Sequence, residues 1–513
     1  MMFHPAELPH RLFSIAEIRQ LEQAAKARLP SGSLMRRAGA AVAQFSQNLL
    51  EENGRILILA GAGDNGGDAL EAASELAHAG WDVDVYFFCA DPNASADAQN
   101  ALQNARHSPA NFIDAQQFQE HLSAYQLVID GLFGIGLNRP IEGHVAAIIY
   151  ALKAHQQSRS IPILAIDVPS GLNADNGQLI GNIALAANCT LSFIADKVGL
   201  HTAKGKDYAG TVIINDLDIG TEDFHQLPST EAVELLTEAQ CRSYSLKRQH
   251  DSHKGSYGDV LIVGGAPGMQ GAAILAARAA LFSGAGRVHI GFMSDFAGCD
   301  LHHPELMCRL ALQSDFHNAC VVIGPGLGRD DSARHFMHLA LAHSSKLVLD
   351  ADALNLMAQD PALQTACRER SLQGWQTIIT PHPLEAARLL QCGTEEIQDH
   401  RVQAARELAS RFQAVALLKG AGSIIATPEG TCLINSSGNA GLATAGTGDV
   451  LAGLCGALLA QRTAIQAASL ACYLHGAAAD DLVAHGVGPI GISASEFIPA
   501  IRARLNALNA LSH

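Results

Sequence analysis

The chain has 513 residues, 48% of them apolar and 16% charged, with a formal net charge of −16 at pH 7. That length exceeds one ordinary core and predicts two or three domains, and the balance describes a packed soluble protein rather than a disordered chain. The acidic excess disfavours nucleic acid and anionic membranes as partners, while local amides remain able to hold nucleotides. No apolar run is long enough to predict a membrane span, and Met1–Phe13 lacks the apolar centre of a secretory signal. The eleven cysteines are scattered without a Cys-x-x-Cys pair, which argues against zinc and a disulfide framework and for a reducing, cytoplasmic setting.

From Arg55 the chain alternates short apolar runs with helical patterns, the signature of a parallel sheet with crossover helices. Strands are expected at Ile56–Ala60, Trp81–Phe88, Gln126–Asp130, Ile163–Asp167 and Thr190–Ile194. The first runs into Gly61-Ala62-Gly63-Asp64-Asn65-Gly66-Gly67-Asp68, followed by a helix expected over Ala69–Ala79. This loop lacks the G-x-G-x-x-G of a dehydrogenase fingerprint. In such sheets ligands collect outside the carboxyl ends of the strands, where Asp130 and Asp167 fall. Asn65, Asp130 and Ser170 could converge as oxygen ligands for a hard cation. Equally, either aspartate could cap a turn at its strand end.

The loop, Asp130–Pro140 (D-G-L-F-G-I-G-L-N-R-P), Asp167–Leu172 (D-V-P-S-G-L) and Asp196–Leu200 (D-K-V-G-L) together resemble the NAD(P)H-hydrate epimerase family, from about Arg11 to Asp223. The family's loop reads N-N-G-G-D-G, so Asp64 and Ala69 are departures. The resemblance implies a Rossmann-like domain, expected over residues 1–225. It implies potassium on Asn65, Asp130 and Ser170. The hydrated cofactor would be held by Asp64, Asn65, Gly66, Gly67 and Asp68, by Gly134, Ile135, Gly136, Leu137, Asn138, Arg139 and Pro140, and by Asp167. Asp167 would also be the acid/base residue at C6 of the hydrated nicotinamide ring. Lys197 is a weaker candidate, since a lysine near a strand end is more often a solvated charge.

Asp218–Lys247 shows no clear strand, and a boundary is expected within Phe224–Leu236. The βα rhythm restarts with a strand at Asp259–Val263, the loop Gly264–Gly268 and an alanine-rich helix over Ala272–Ser283. Further strands end in Gly324-Pro325-Gly326-Leu327-Gly328, in Asp350-Ala351-Asp352, in Thr380-Pro381-His382-Pro383 and in Lys419-Gly420-Ala421-Gly422-Ser423. Loops of this kind at the carboxyl edge of one sheet would surround one crevice. Gly438–Gly448 is glycine-dense and leads into an apolar helix, with Asp449 at the junction. Glycines allow close approach to a ligand, the helix start offers free N–H groups, and the carboxylate can accept a hydroxyl proton during phosphoryl transfer. A glycine turn merely capped by the aspartate is the alternative.

The ordered set G-P-G-L-G, D-A-D-A-L-N, T-P-H-P, K-G-A-G-S and G-T-G-D resembles the ribokinase-like NAD(P)H-hydrate dehydratases, over about Leu236–Leu508. A second α/β domain is therefore expected over residues 236–513. By this resemblance Lys419, Gly420, Ala421, Gly422, Ser423 and Gly448 would bind an adenine nucleotide. Ala272, Gly326, His382 and Asp449 would contact the hydrated dinucleotide. Asp449 would be catalytic, with ADP as co-substrate and magnesium on its phosphates. A substrate-contacting His382 is preferred to a metal-bound one, a capping role being the alternative; His302, His303 and the other histidines read as surface residues. The two resemblances imply joint repair of hydrated NADH and NADPH by a homo-oligomer. A ribokinase-type kinase fused to a nucleotide-binding module, or a non-enzymatic nucleotide sensor, are the competing expectations.

Overall fold

A strand covered by helices on both faces has no solvent side, so its sequence reads as an unbroken apolar run. Arg55–Ala60 is such a strand, with Ile56 to Ala60 fully buried. The computed structural model describes residues 10–50, 54–88, 94–156, 158–224, 232–244, 248–294 and 298–510. Met1–Pro9 and the middle of the expected connection, including residue 225 and Pro228, lie outside them. The chain divides into two units, Met1–Ala232 and Val233–His513.

The first unit holds a seven-stranded sheet whose strands pair in parallel, in the order Asn111–Phe112, Asp82–Phe87, Arg55–Ala60, Leu127–Gly131, Ile163–Ile166, Cys189–Phe193 and Thr211–Asn215. The chain moves outward in one direction from Arg55–Ala60 and in the other from Leu127–Gly131. Between those two strands lies the switch point at which open α/β sheets form a crevice. Helices Ile15–Arg28 and Ser33–Leu49 precede the sheet.

One expected element begins elsewhere. The helix after the first strand runs Asp64–His78, so the glycine loop is its opening turns rather than a separate loop before Ala69. Glycine costs about 1 kcal/mol in a helix, and tertiary packing overrides that cost here. A Cβ on Gly66 would collide with the carbonyl of Gly61, and one on Gly67 would come 2.6 Å from the Met35 methyl.

In the second unit the strand order is Val233–Leu236, Cys432–Asn435, Ile424–Ala426, Val415–Leu418, Gln376–Ile379, Lys346–Leu349, Cys320–Ile323, Asp259–Gly264, Arg287–Phe292 and Met307–Leu310. Only Ile424–Ala426 runs antiparallel to its neighbours. Val233–Leu236 corrects the expectation of no strand between Asp218 and Lys247; it pairs in parallel with Cys432–Asn435. Only its end residues Val233 and Leu236 are buried, and four residues are too few for periodicity to reveal.

Helix Thr447–Leu459 packs into the core of this unit, with Val450, Leu451, Leu454 and Leu458 almost wholly buried. Each such side chain contributes about 1.5–3 kcal/mol by leaving water. Two glycines bring the helix close to its neighbours. A Cβ on Gly453 would strike the Ala276 carbonyl, and one on Gly456 would strike the Val322 side chain. Among the described residues no helix is long and apolar enough to cross a membrane.

Candidate functional site

In the first unit a cavity of about 820 Å³ opens at the switch point, within the roughly 300–1,000 Å³ range of small-molecule sites. Asp64, Asn65, Asp68, Gly134, Ile135, Gly136, Leu137, Asn138, Arg139 and Asp167 line it. Gly66 and Gly67 are buried behind that wall, and Pro140 is exposed beyond it. Asp167 sits just past its strand with φ 66°, a left-handed conformation that aspartate tolerates better than most residues. Its Oδ1 accepts from Phe193 N at 3.2 Å and faces Lys197 Nζ at 2.8 Å.

Lys197 is not the solvated charge expected. It is fully buried, and its ammonium also donates to Ser192 Oγ, Phe193 O and Ala195 O at 2.7, 3.0 and 3.1 Å. A buried ammonium needs this many partners, because desolvation otherwise outweighs the charge attraction.

Beneath the cavity, Asp130 and Ser170 are fully buried and joined. Ser170 Oγ donates to Asp130 Oδ1 at 2.6 Å, and Ser170 N and Leu132 N donate to the same carboxylate at 2.9 and 3.3 Å. Asp130 therefore does cap strand-end turns, as the alternative held. Burial nevertheless pushes its carboxyl up to about 6, with the Ser170 and Leu132 bonds opposing. The Asn65 amide nitrogen is buried without a partner, and its Oδ1 would stand 3.1 Å from a Cβ on Gly134. Carboxylate, hydroxyl and amide form a hard-oxygen set suited to an alkali cation rather than a soft metal.

In the second unit, Asp350, Thr380 and Lys419 follow three neighbouring strands at one edge of the sheet. Lys419 Nζ lies 2.9 Å from Asp350 Oδ1, which also accepts from Thr380 Oγ1 at 2.7 Å. Burial would lower the Lys419 ammonium, but Asp350 and Glu385 reverse this and raise it. Gly448 is close by: a Cβ there would stand 3.6 Å from Lys419 Nζ. Ser423 Oγ closes its loop on Gly420, donating to its carbonyl at 3.0 Å and accepting from its N–H at 3.2 Å.

Asp449 does not cap its helix. Gly446 is the N-cap, with φ 89° and no side-chain bond, and Asp449 is the third helical residue. Burial, with the charge of Asp350 adding and Lys419 opposing, holds its carboxyl at about 6. Ala272 and Gly326 are adjacent, since a Cβ on Gly326 would lie 3.3 Å from that of Ala272. The flanking loops join through Ala266 N to Gly326 O at 2.7 Å.

His382 takes the capping role. Its Nδ1 accepts from Leu384 N at 3.1 Å while Glu385 Oε2 accepts from His382 N at 2.9 Å, a reciprocal capping box. The same ring remains half-buried near Lys419, and burial lowers its basicity.

Comparison with known proteins matches residues 31–199 to the family described as YjeF-related protein N-terminus and residues 260–499 to NAD(P)H-hydrate dehydratase. A bifunctional NAD(P)H-hydrate repair enzyme of Coxiella burnetii is 35% identical over 96% of this chain and 99% of its own. One from Vibrio cholerae is 36% identical over 97% of this chain and 99% of its own. The chain belongs to the bifunctional NAD(P)H-hydrate repair enzymes. The crystal structure of a Bacillus subtilis ADP/ATP-dependent NAD(P)H-hydrate dehydratase, co-crystallised with ATP and magnesium, is 29% identical with a TM-score of 0.46, covering 53% of this chain and 97% of its own.

Several residues around these two candidate sites escaped the sequence reading. The first helices contribute Ile18, Glu22, Lys26 and Met35 to the cavity wall, with no motif to mark them. Asp350 and Thr380 stood inside recognised motifs, but the contacts of Asp350 with Lys419 and with Thr380 are long-range. His475, expected at the surface, is buried in helix Ala464–Ala484 with an unpartnered Nε2, and burial lowers it to about 4. An apolar Ala/Leu flank on both sides was the available signal.

Proposed function

We propose that the first unit interconverts the R and S hydrates of NADH and NADPH at C6, and that the second dehydrates the S form at the expense of ADP. Family membership spanning both units carries this reading. Asp449 supplies the chemistry of the second: its carboxylate takes the proton of the C6 hydroxyl as that oxygen attacks the terminal phosphoryl group. Phosphate then leaves C6 more readily than hydroxide would. Backbone N–H groups at the start of helix Thr447–Leu459 and the Lys419 ammonium face the developing negative charge. Lys419–Ser423 and Gly448 would hold the nucleotide, and Ala272, Gly326 and His382 the dinucleotide.

Asn65, Asp130 and Ser170 fit potassium by donor type and by the burial of the Asp130 carboxyl with hydrogen-bond donors but no counter-charge among the described residues. The ion would supply positive charge beneath the cavity and fix the three segments that meet there. Magnesium would arrive with the nucleotide's phosphates. Among the described residues no three His, Cys, Asp or Glu side chains form a metal cluster, so it is assigned no protein ligand. Free thiols at all described cysteines support cytoplasmic residence. Exposed Leu310 and Leu312, at the edge strand Met307–Leu310, support self-association, which sedimentation would measure.

The test supplies hydrated NADH and magnesium with ADP or ATP and follows reduced-nicotinamide absorbance. Recovery of absorbance with release of AMP and phosphate from ADP is expected. A stable phosphorylated product without recovery would identify a kinase instead, and recovery with ATP alone would reverse the choice of donor.

A further inference from the structure

Five carboxyls line the cavity of the first unit, and the fold treats two of them, Asp68 and Asp167, differently. Asp167 is held: both Lys197 Nζ and Phe193 N engage its Oδ1, so Oδ2 has no protein donor among the described residues. No hydrogen bond or ion pair holds the Asp68 carboxyl among those residues. Burial, then the charges of Asp167, Asp64 and Glu22, push it well above the usual carboxylate range, with Lys26 pulling the other way. A carboxyl driven up beside another that is paired with an ammonium is the arrangement that divides acid from base.

Interconversion at C6 requires the C6–O bond to break and to form again on the opposite face. We propose that Asp68 is the acid of this exchange, protonating the C6 hydroxyl, while Asp167 Oδ2 takes the proton of the returning water. This rests on the epimerase reading above. The C6–O electron pair departs with water as the N1 lone pair closes an N1=C6 iminium. A water molecule then adds to the other face, its oxygen bonding to C6 and its proton passing to Asp167. Transfer of that proton back to Asp68 through solvent restores the starting state. Nothing is oxidised and no co-reactant is consumed.

The experiment uses the full chain and the R hydrate of NADH, comparing wild type, Asp68→Asn and Asp68→Glu. Asp68→Asn is expected to lower kcat for interconversion by about 10²–10⁴-fold, the usual worth of one proton-transfer group. KM should change little, and the fall in wild-type rate at alkaline pH should disappear. The same Asp68→Asn preparation should still consume S hydrate with ADP at the wild-type rate, which reports a folded second unit. A kcat within about threefold of wild type, or a loss confined to KM, overturns the role of Asp68. If Asp68→Asn does not fold, Asp68→Glu decides. An alkaline limb with a displaced midpoint supports the proposal, and an unmoved limb sinks it. Wild type that fails to interconvert the hydrates refutes the epimerase reading itself, a separate outcome.

Discussion

Lys419 Nζ sits 2.9 Å from Asp350 Oδ1, and Asp449 lies close enough to feel both charges. The ammonium offsets two carboxylates at once, one held and one available. Removing it leaves Asp350, 2% exposed, without a counter-charge. Lys419→Met should therefore destabilise the second unit by roughly 3–5 kcal/mol, the cost of breaking a buried pair from one side. Urea denaturation checks this, and Lys419→Met with Asp350→Leu should recover part of the loss.

Asp449→Asn should reduce nucleotide-dependent repair by about 10²–10⁴-fold and leave R/S interconversion at the wild-type rate. Chiral chromatography of the hydrates alongside the absorbance assay separates the two activities. Parallel loss of both would contradict independent centres.

The pH profile has a defined sign. The proposed role of Asp449 as a base requires its ionised form, and burial places its carboxyl at about 6. Repair should rise with pH through about 6 and then level. Stability runs the other way. A carboxyl raised in the folded state favours the protonated fold, and that contribution is lost as pH climbs from the unfolded value of 3.8 through about 6. Asp449→Asn should accordingly melt higher than wild type above pH 6, measured by calorimetry at pH 5 and 7.5.

Lys197→Met should affect the first unit alone. It removes the 2.8 Å partner of Asp167 and leaves that carboxylate facing an apolar group. Interconversion should fall at least tenfold and the first melting transition should drop. Consumption of S hydrate should continue unchanged.

Asp130→Asn should abolish potassium-dependent stabilisation, read as the difference in Tm between potassium and lithium chloride. Ser170→Ala should weaken it and cost about 1–3 kcal/mol, because the buried Asp130 carboxylate loses its 2.6 Å hydroxyl donor.

Sequence exposed what is local and periodic. The βα rhythm gave the central strands of both sheets to within a residue or two, because unbroken apolar runs report burial on both faces. The strand-end aspartates were equally legible. What escaped is long-range or paid for elsewhere in the fold. Helix Asp64–His78 begins through two glycines only because Gly61 and Met35 pack against them. Lys197 reads as a surface lysine because its partners are three carbonyl or hydroxyl oxygens and a carboxylate thirty residues earlier in the chain. Val233–Leu236 is recognisable only through its pairing with Cys432–Asn435.

Gly453 and Gly456 lie one and two turns beyond Asp449 on the same helix. With no side chain at either, the helix can rest against Ala276 and Val322. The reach of the proposed base is thus governed by two missing methyl groups set well away from its carboxyl. Alanine at position 456 would lift the whole rod off its bed, and turnover would decline although every polar group remained present.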